Sequence, residues 1–173
     1  AREIASSVTV ITARDIEQQQ RRTLPQALAA VPGLNIVQTG GPGGLTSVFM
    51  RGTNSNHVKV LIDGIEANDP SAPNRSFDFG SMLTEDIERI EVLRGPQSGL
   101  YGANALGGVI SVTTKRGEGP PKMTARVEGG SHGTFNQSLG FSGGDARFNY
   151  AFNAAHFRAD GTEVTPPNLV PPG

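Results

Sequence analysis

Apolar and polar positions along this chain change rhythm near residue 115. Before that point short strands alternate with short helices. Residues 7–11 (SVTVI) alternate and predict a strand. Thr12 and Asp15 have capping-box spacing, with Asp where Glu or Gln is usual, and predict a polar helix through Gln20. Thr23 and Gln26 form a better box, with Pro25 tolerated in the first turn. Leu24, Leu28 and Val31 then fall on one stripe, and Pro32-Gly33 ends the helix. Strands are predicted over residues 34–38, 48–51, 58–62, 89–93 and 108–114. The 58–62 run is nearly all apolar, as in a strand covered on both faces. Asp63-Gly64 reads as a turn. Residues 39–47 (TGGPGGLTS) and 66–80 (EANDPSAPNRSFDFG) read as irregular loops, the second long enough to suggest function. The segment between the last two strands is rich in glycine, which suits a tight reversal.

After Lys115 the helical pattern stops. Residues 116–122 (RGEGPPK) have linker composition, and three alternating segments come next. Met123, Ala125 and Val127 alternate with Thr124, Arg126 and Glu128. Phe135, Leu139 and Phe141 alternate with Asn136, Ser138, Gly140 and Ser142. Residues 146–155 place Phe148, Tyr150 and Phe152 opposite Arg147, Asn149 and Asn153. Strands of about ten residues, apolar on one face and polar on the other, are what a transmembrane β-barrel requires. A soluble meander packed on the first domain fits the same alternation. The expected division is 1–117 for the α+β unit and 118–173 for the strands.

Composition narrows the classes. The net charge is −1, from 15 basic and 16 acidic residues, with no Trp. No basic cluster marks a nucleic-acid surface, so no nucleic-acid partner is expected. Cysteine is absent, which removes disulfides and thiol chemistry. Gly (23) and Pro (12) make about a fifth of the chain, against an average of roughly 12%, and they mark turns between strands. No apolar run reaches 18 residues, so no transmembrane helix is expected, a test that strands escape.

Catalytic chemistry finds little support. Ser55, His57 and Asp63 share one strand and its flanks, and His57 and Asp63 would lie about 20 Å apart if extended. The 102–108 run (GANALGG) lacks the Gly-Lys-Ser/Thr ending of a phosphate loop. Glu85, Asp86, Glu88 and Glu91 read as a solvated or wall-facing charge run. His132 and His156 are isolated, and no metal site is expected.

The order of motifs goes further. Residues 24–36 (LPQALAAVPGLNI), 49–69 (FMRGTNSNHVKVLIDGIEAND) and 87–115 (IERIEVLRGPQSGLYGANALGGVISVTTK), with three amphipathic strands after them, resemble the plug and first barrel strands of a TonB-dependent outer-membrane receptor. The stretch RGTNSNHVKVLIDG is most similar to the vitamin B12 (cobalamin) receptor group. The resemblance implies an α+β plug domain with a small mixed β-sheet and short helices, followed by the first antiparallel strands of a truncated transmembrane β-barrel. It implies a bacterial outer-membrane importer and no enzyme. Partners would be TonB, the receptor's own β-barrel and outer-membrane lipid.

The resemblance places Arg51 and Arg94 at plug–barrel contacts, each facing an acidic wall residue. Substrate binding would fall to the apical loops: Pro42, Gly43, Gly44, Leu45, Thr46 and Ser47 in one, and Asn68, Asp69, Ser71, Asn74 and Arg75 in the other. Cobalamin is the first expectation for cargo, a ferric siderophore the second and haem the third. No cofactor is expected beyond the transported ligand. Asp160 and Glu163 are too few for calcium, which needs six to eight oxygens. A TonB box is not found, and residues 1–12 resemble the stretch just after such a box. Three strands cannot close a barrel, so the chain is expected to stop in or near a second extracellular loop. Their open edges imply poor order or pairing with another copy. A soluble periplasmic binding domain is the alternative.

Overall fold

A computed structural model describes residues 7–40, 43–72, 75–102, 104–130, 133–145 and 147–158. Ten strands run in chain order: β1 (Ser7–Thr12), β2 (Leu34–Gln38), β3 (Thr46–Met50), β4 (Val58–Ile62), β5 (Ile65–Glu66), β6 (Ile87–Arg94), β7 (Gly108–Thr114), β8 (Gly119–Gly129), β9 (Phe135–Gly144) and β10 (Asn149–Arg158). Three short helices join them: α1 (Ala13–Gln18), α2 (Leu24–Leu28) and α3 (Ser98–Tyr101).

The central sheet has the order β1-β6-β7-β4-β5, parallel only between β7 and β4. One face carries Ile11, Val58, Val60, Ile90, Val92, Ile110 and Val112, all buried. Helices α1 and α2 and the β2–β3 hairpin supply Ile16, Leu24, Leu28, Val48 and Met50 to the same core. Both helices start as their caps predict. Thr12 Oγ1 accepts from the Asp15 amide while Asp15 Oδ2 accepts from the Thr12 amide. Gln26 Oε1 accepts from the amides of Arg22 and Thr23. The apolar strand β4 is covered on both sides, because Leu61 joins Ala105 and Val109 in a smaller cluster on the opposite face.

Gly108, where the 95–107 segment enters β7, must be glycine. Its φ is +147°, and a Cβ there would collide with the Leu93 carbonyl and the Met50 sulfur. Within this segment α3 forms one helical turn that the glycine-rich sequence did not predict.

Strands β8, β9 and β10 form a separate antiparallel meander. β8 and β10 remain the open edges on which the expected pairing with another copy would act. A single chain holds the three strands in register, with Met123 opposite Phe141 and Phe141 opposite Phe152. Their polar face meets the rest of the chain through Glu128 on Arg22 and Asn136 on Glu85. β10 also starts three residues later than the alternation predicts. Asp145 Oδ1 accepts from the amides of Arg147 and Phe148 and extends the turn.

Candidate functional site

Three places could carry function: an arginine corner, two loops, and the contact between the meander and the α+β unit. At the corner, Arg51 leaves β3 with φ +51° and Gly52 comes next with φ +77°. The Thr53 amide closes this turn on the Met50 carbonyl at 3.0 Å, and the Arg51 amide reaches the Gly33 carbonyl at 3.1 Å. The strand predicted to include Arg51 therefore ends at Met50. Arg94, the last residue of β6, donates to the Pro32 carbonyl at 2.7 Å and to Thr9 Oγ1 at 2.8 Å. A Cβ on Gly33 would stand 3.7 Å from Arg94 Cδ, and one on Gly95 would stand 3.3 Å from Arg51 Nη1. The fold thus brings the two predicted arginines to one corner, beside a cleft of about 460 Å³ lined by Gly33, Phe49, Arg51 and Asn54. The Arg51 guanidinium lining this cleft favours an anionic partner, and its planar fork suits a carboxylate.

The loops divide into supports and exposed positions. Thr46 belongs to β3 and is buried; its amide donates to Asp78 Oδ1 and its hydroxyl to the Gly44 carbonyl. β3 therefore begins two residues before its predicted start, and Ser47 lies within it opposite Val37. Asn68 acts as a one-residue extension of the sheet. Its Oδ1 accepts from the Val60 amide, and its Nδ2 donates to the carbonyls of Val58 and Arg75. Asp69 accepts from the hydroxyl and amide of Ser71, which hold its carboxyl below the usual range. Gly43, Leu45, Asp69, Ser71 and Arg75 are exposed, Arg75 with φ +48°, and Gly44 is half-buried. Pro42 and Asn74 lie outside the described residues, as do Asp160, Glu163 and residues 1–6.

The third place was not anticipated residue by residue. Segments 21–24 and 82–85 are cross-tied by a bridge between Thr23 and Leu83 and by the Leu24 amide on the Met82 carbonyl. They present Arg22 and Glu85 side by side to the meander. Arg22 Nη2 pairs with Glu128 Oε1 at 2.6 Å. Asn136 Nδ2 donates to Glu85 Oε1 at 3.1 Å and to Glu128 Oε2 at 3.3 Å. Glu128 and Asn136 are partners across β8 and β9. Asn136 is only 2% exposed. Beside these groups lies a cavity of about 700 Å³, lined by Glu17, Asp86, Glu88 and Lys115 on one side and by Thr124, Arg126, Ser138 and Asn153 on the other. Burial raises the Asp86 carboxyl, opposed by the charge of Lys115. Of the predicted acidic run, Glu85 meets the meander and Glu91 pairs with Arg89 at 3.4 Å. The alternation puts Glu128 and Asn136 on the polar face, but nothing in the sequence names their partners.

The sequence profile of the TonB-dependent Receptor Plug Domain matches residues 1–109. The chain belongs to the TonB-dependent receptor plug family. Solved receptors agree with the whole arrangement, plug and meander together. The chain is similar to the ferric yersiniabactin uptake receptor FyuA from Yersinia pestis, at 23% identity and a TM-score of 0.68, over 89% of this chain and 24% of that one. It is similar to the siderophore receptor PirA from Acinetobacter baumannii, at 26% identity and a TM-score of 0.62, over 87% and 24%. It is also similar to the copper transporter OprC, at 24% identity and a TM-score of 0.71, over 90% and 24%. The chain spans about a quarter of the length of these structures. The expected fold class, a mixed-sheet plug followed by antiparallel barrel-type strands, is the one observed.

Proposed function

We propose that this chain is the plug and first wall strands of an outer-membrane importer energised through TonB, with residues 1–117 as plug and 118–173 as wall. The observation that carries the reading is the orientation of the meander. Its polar residues Thr124, Arg126, Ser138 and Asn153 line the cavity against the plug. Its apolar residues Met123, Val127, Leu139, Phe141 and Phe152 lie on the alternate positions and are exposed, although Met123, Phe141 and Phe152 also border the cavity. Strands of 10–11 residues fit the length a tilted membrane strand needs. A soluble periplasmic domain would have the opposite orientation, apolar face inward.

Arg51 and Arg94 are assigned as a cationic corner that meets wall carboxylates. Arg94 already braces β1 and the 32–33 turn from within the plug. Gly43, Gly44, Leu45, Ser47, Asp69, Ser71 and Arg75, with Pro42 and Asn74, are assigned to ligand contact. Thr46 and Asn68 are assigned to holding those loops in shape. TonB would engage the segment before β1.

For cargo we favour a ferric siderophore over cobalamin, because the similar structures include a siderophore receptor and receptors for ferric yersiniabactin and ferric enterobactin. The test is uptake by cells in which the receptor carrying this chain is the sole outer-membrane route, with and without an uncoupler of the proton gradient. Siderophore uptake that the uncoupler abolishes is the expected result. Uncoupler-sensitive cobalamin uptake would keep the class and overturn the cargo. Uptake indifferent to the uncoupler would overturn the class.

A further inference from the structure

The plug and the meander meet at two places on the rim of the 700 Å³ cavity, and the two contacts differ in kind. At the first, the chain itself crosses from β7 to β8. Asp63 leaves β4 with φ +51°, and its amide still donates to the Val112 carbonyl at 2.9 Å. Its carboxylate then stands in for the strand carbonyl that would come next along β4. Oδ1 accepts from the Thr114 amide at 2.9 Å, and Oδ2 accepts from the Thr114 hydroxyl at 2.6 Å. On the opposite side of β7, the Lys115 amide donates to the Asp86 carbonyl at 2.8 Å, and Lys115 Nζ donates to the Glu85 carbonyl at 2.9 Å. Two residues on, Gly117 is buried against the meander, where a Cβ would run into the carbonyls of Tyr150 and Gly143. Lys115 is thus pinned to the plug and Gly117 to the meander, with the exposed Arg116 between them.

The second contact is made by side chains. Glu128 lies ten residues beyond Glu118, about 30 Å along an extended strand. Arg22 pairs with it at 2.6 Å, and Asn136 donates both to it and to Glu85. Arg22 and Glu128 are partly open to water, 21% and 30%, and an ion pair so placed exchanges readily with solvent. We propose that the plug is hinged to the wall at residues 115–117 and latched to it by Arg22–Glu128 and Glu85–Asn136, so that opening the latch widens the cavity into a passage. The proposal rests on the assignment of residues 118–173 to the wall. A hinge needs a few chain residues that absorb rotation, and the pinning of Lys115 and Gly117 confines it to the joint. A rotation there moves the latch end, about 30 Å along the strand, further than the joint end.

The test places spin-label pairs across the cavity in the receptor that carries this chain, in detergent and otherwise free of cysteine. Glu17→Cys with Ser138→Cys reads the latch end, close in sequence to Arg22 and Asn136. Glu88→Cys with Ser142→Cys reads the joint end, because Ile87 is the partner of Thr114 and Gly143 abuts Gly117. All four positions line the cavity. Arg22→Ala and Asn136→Ala are each expected to lengthen and broaden the latch-end distance and to leave the joint-end distance as in the wild type. Arg22→Lys, which keeps the charge, is expected to keep the short distance. A latch-end distance unchanged by the alanine variants overturns the latch, and equal broadening at both ends overturns the hinge. Either alanine variant suffices if the other fails to fold. A reducible cross-link between positions 17 and 138 is expected to arrest uptake until it is cleaved, whereas one between 88 and 142 leaves uptake in place. Uptake undiminished by the first cross-link overturns the passage. No uptake by the receptor without cross-links would sink the importer reading instead, and the distances would still decide the hinge and the latch.

Discussion

The central sheet of the plug and the meander β8–β10 are written in the same alternation, and they bury opposite faces. In the plug, Ile90, Val92, Ile110 and Val112 turn inward onto the helices and hairpin and are sealed. In the meander, Leu139, Phe141 and Phe152 turn outward, with Phe152 65% exposed, while Asn136 and Ser138 turn inward. Alternation separates two faces; it does not say which one meets the core. The surrounding medium decides that. Water forces an apolar face inward, whereas a bilayer accepts it outside and leaves the polar face to the lumen.

The comparison can be broken at its strongest point by truncation. Ile90→Ala is expected to cost about 2–5 kcal/mol, because it opens a cavity in the plug core. Phe152→Ala removes a larger side chain, yet should cost less than about 1 kcal/mol for the protein in detergent, since its face is not packed on protein. Denaturant unfolding of both variants checks the order; equal losses would mean that the outward face is packed after all. A charge tests the medium. Leu139→Arg should cost about 2–4 kcal/mol in a bilayer at mid-depth, read by refolding into vesicles. Ser138→Arg, one residue away on the cavity side, should cost much less. A local device gives the smallest effect. Thr12→Ala removes the hydroxyl cap of α1 and should cost about 1 kcal/mol of plug stability, with no change in meander integrity.

Most of the plug's elements were readable because each rests on a local signal. The boxes at Thr12 and Thr23 and the Asp63-Gly64 turn appear as expected, and Leu24, Leu28 and Val31 are all buried, although α2 ends at Leu28, short of the predicted stop at Pro32-Gly33. What escaped depends on groups distant in the chain. The start of β3 is set by Asp78 from 32 residues away. The true start of β10 results from a turn held by the Asp145 side chain, which periodicity cannot register. α3 forms in a stretch whose glycines argue against any helix. For the candidate site, sequence singled out Arg51 and Arg94, and the fold brings them to one corner. It did not single out Arg22 or Glu128, whose meeting spans 106 positions. Nor did it separate Asn68, spent on the edge of β4, from the exposed residues beside it.

The orientation of the meander carries the assignment of residues 118–173 to the wall, and the absence of cysteine from this chain lets it be probed by labelling. Single cysteines would be placed in turn at positions 138–142 of β9 and labelled with a fluorophore in the membrane-embedded protein. A lipid-soluble quencher and a water-soluble one would then be applied. A wall strand with its polar face on the plug predicts a two-residue alternation, with 139 and 141 quenched from lipid and 138, 140 and 142 protected from it. Uniform accessibility, or the inverse alternation, would contradict that orientation.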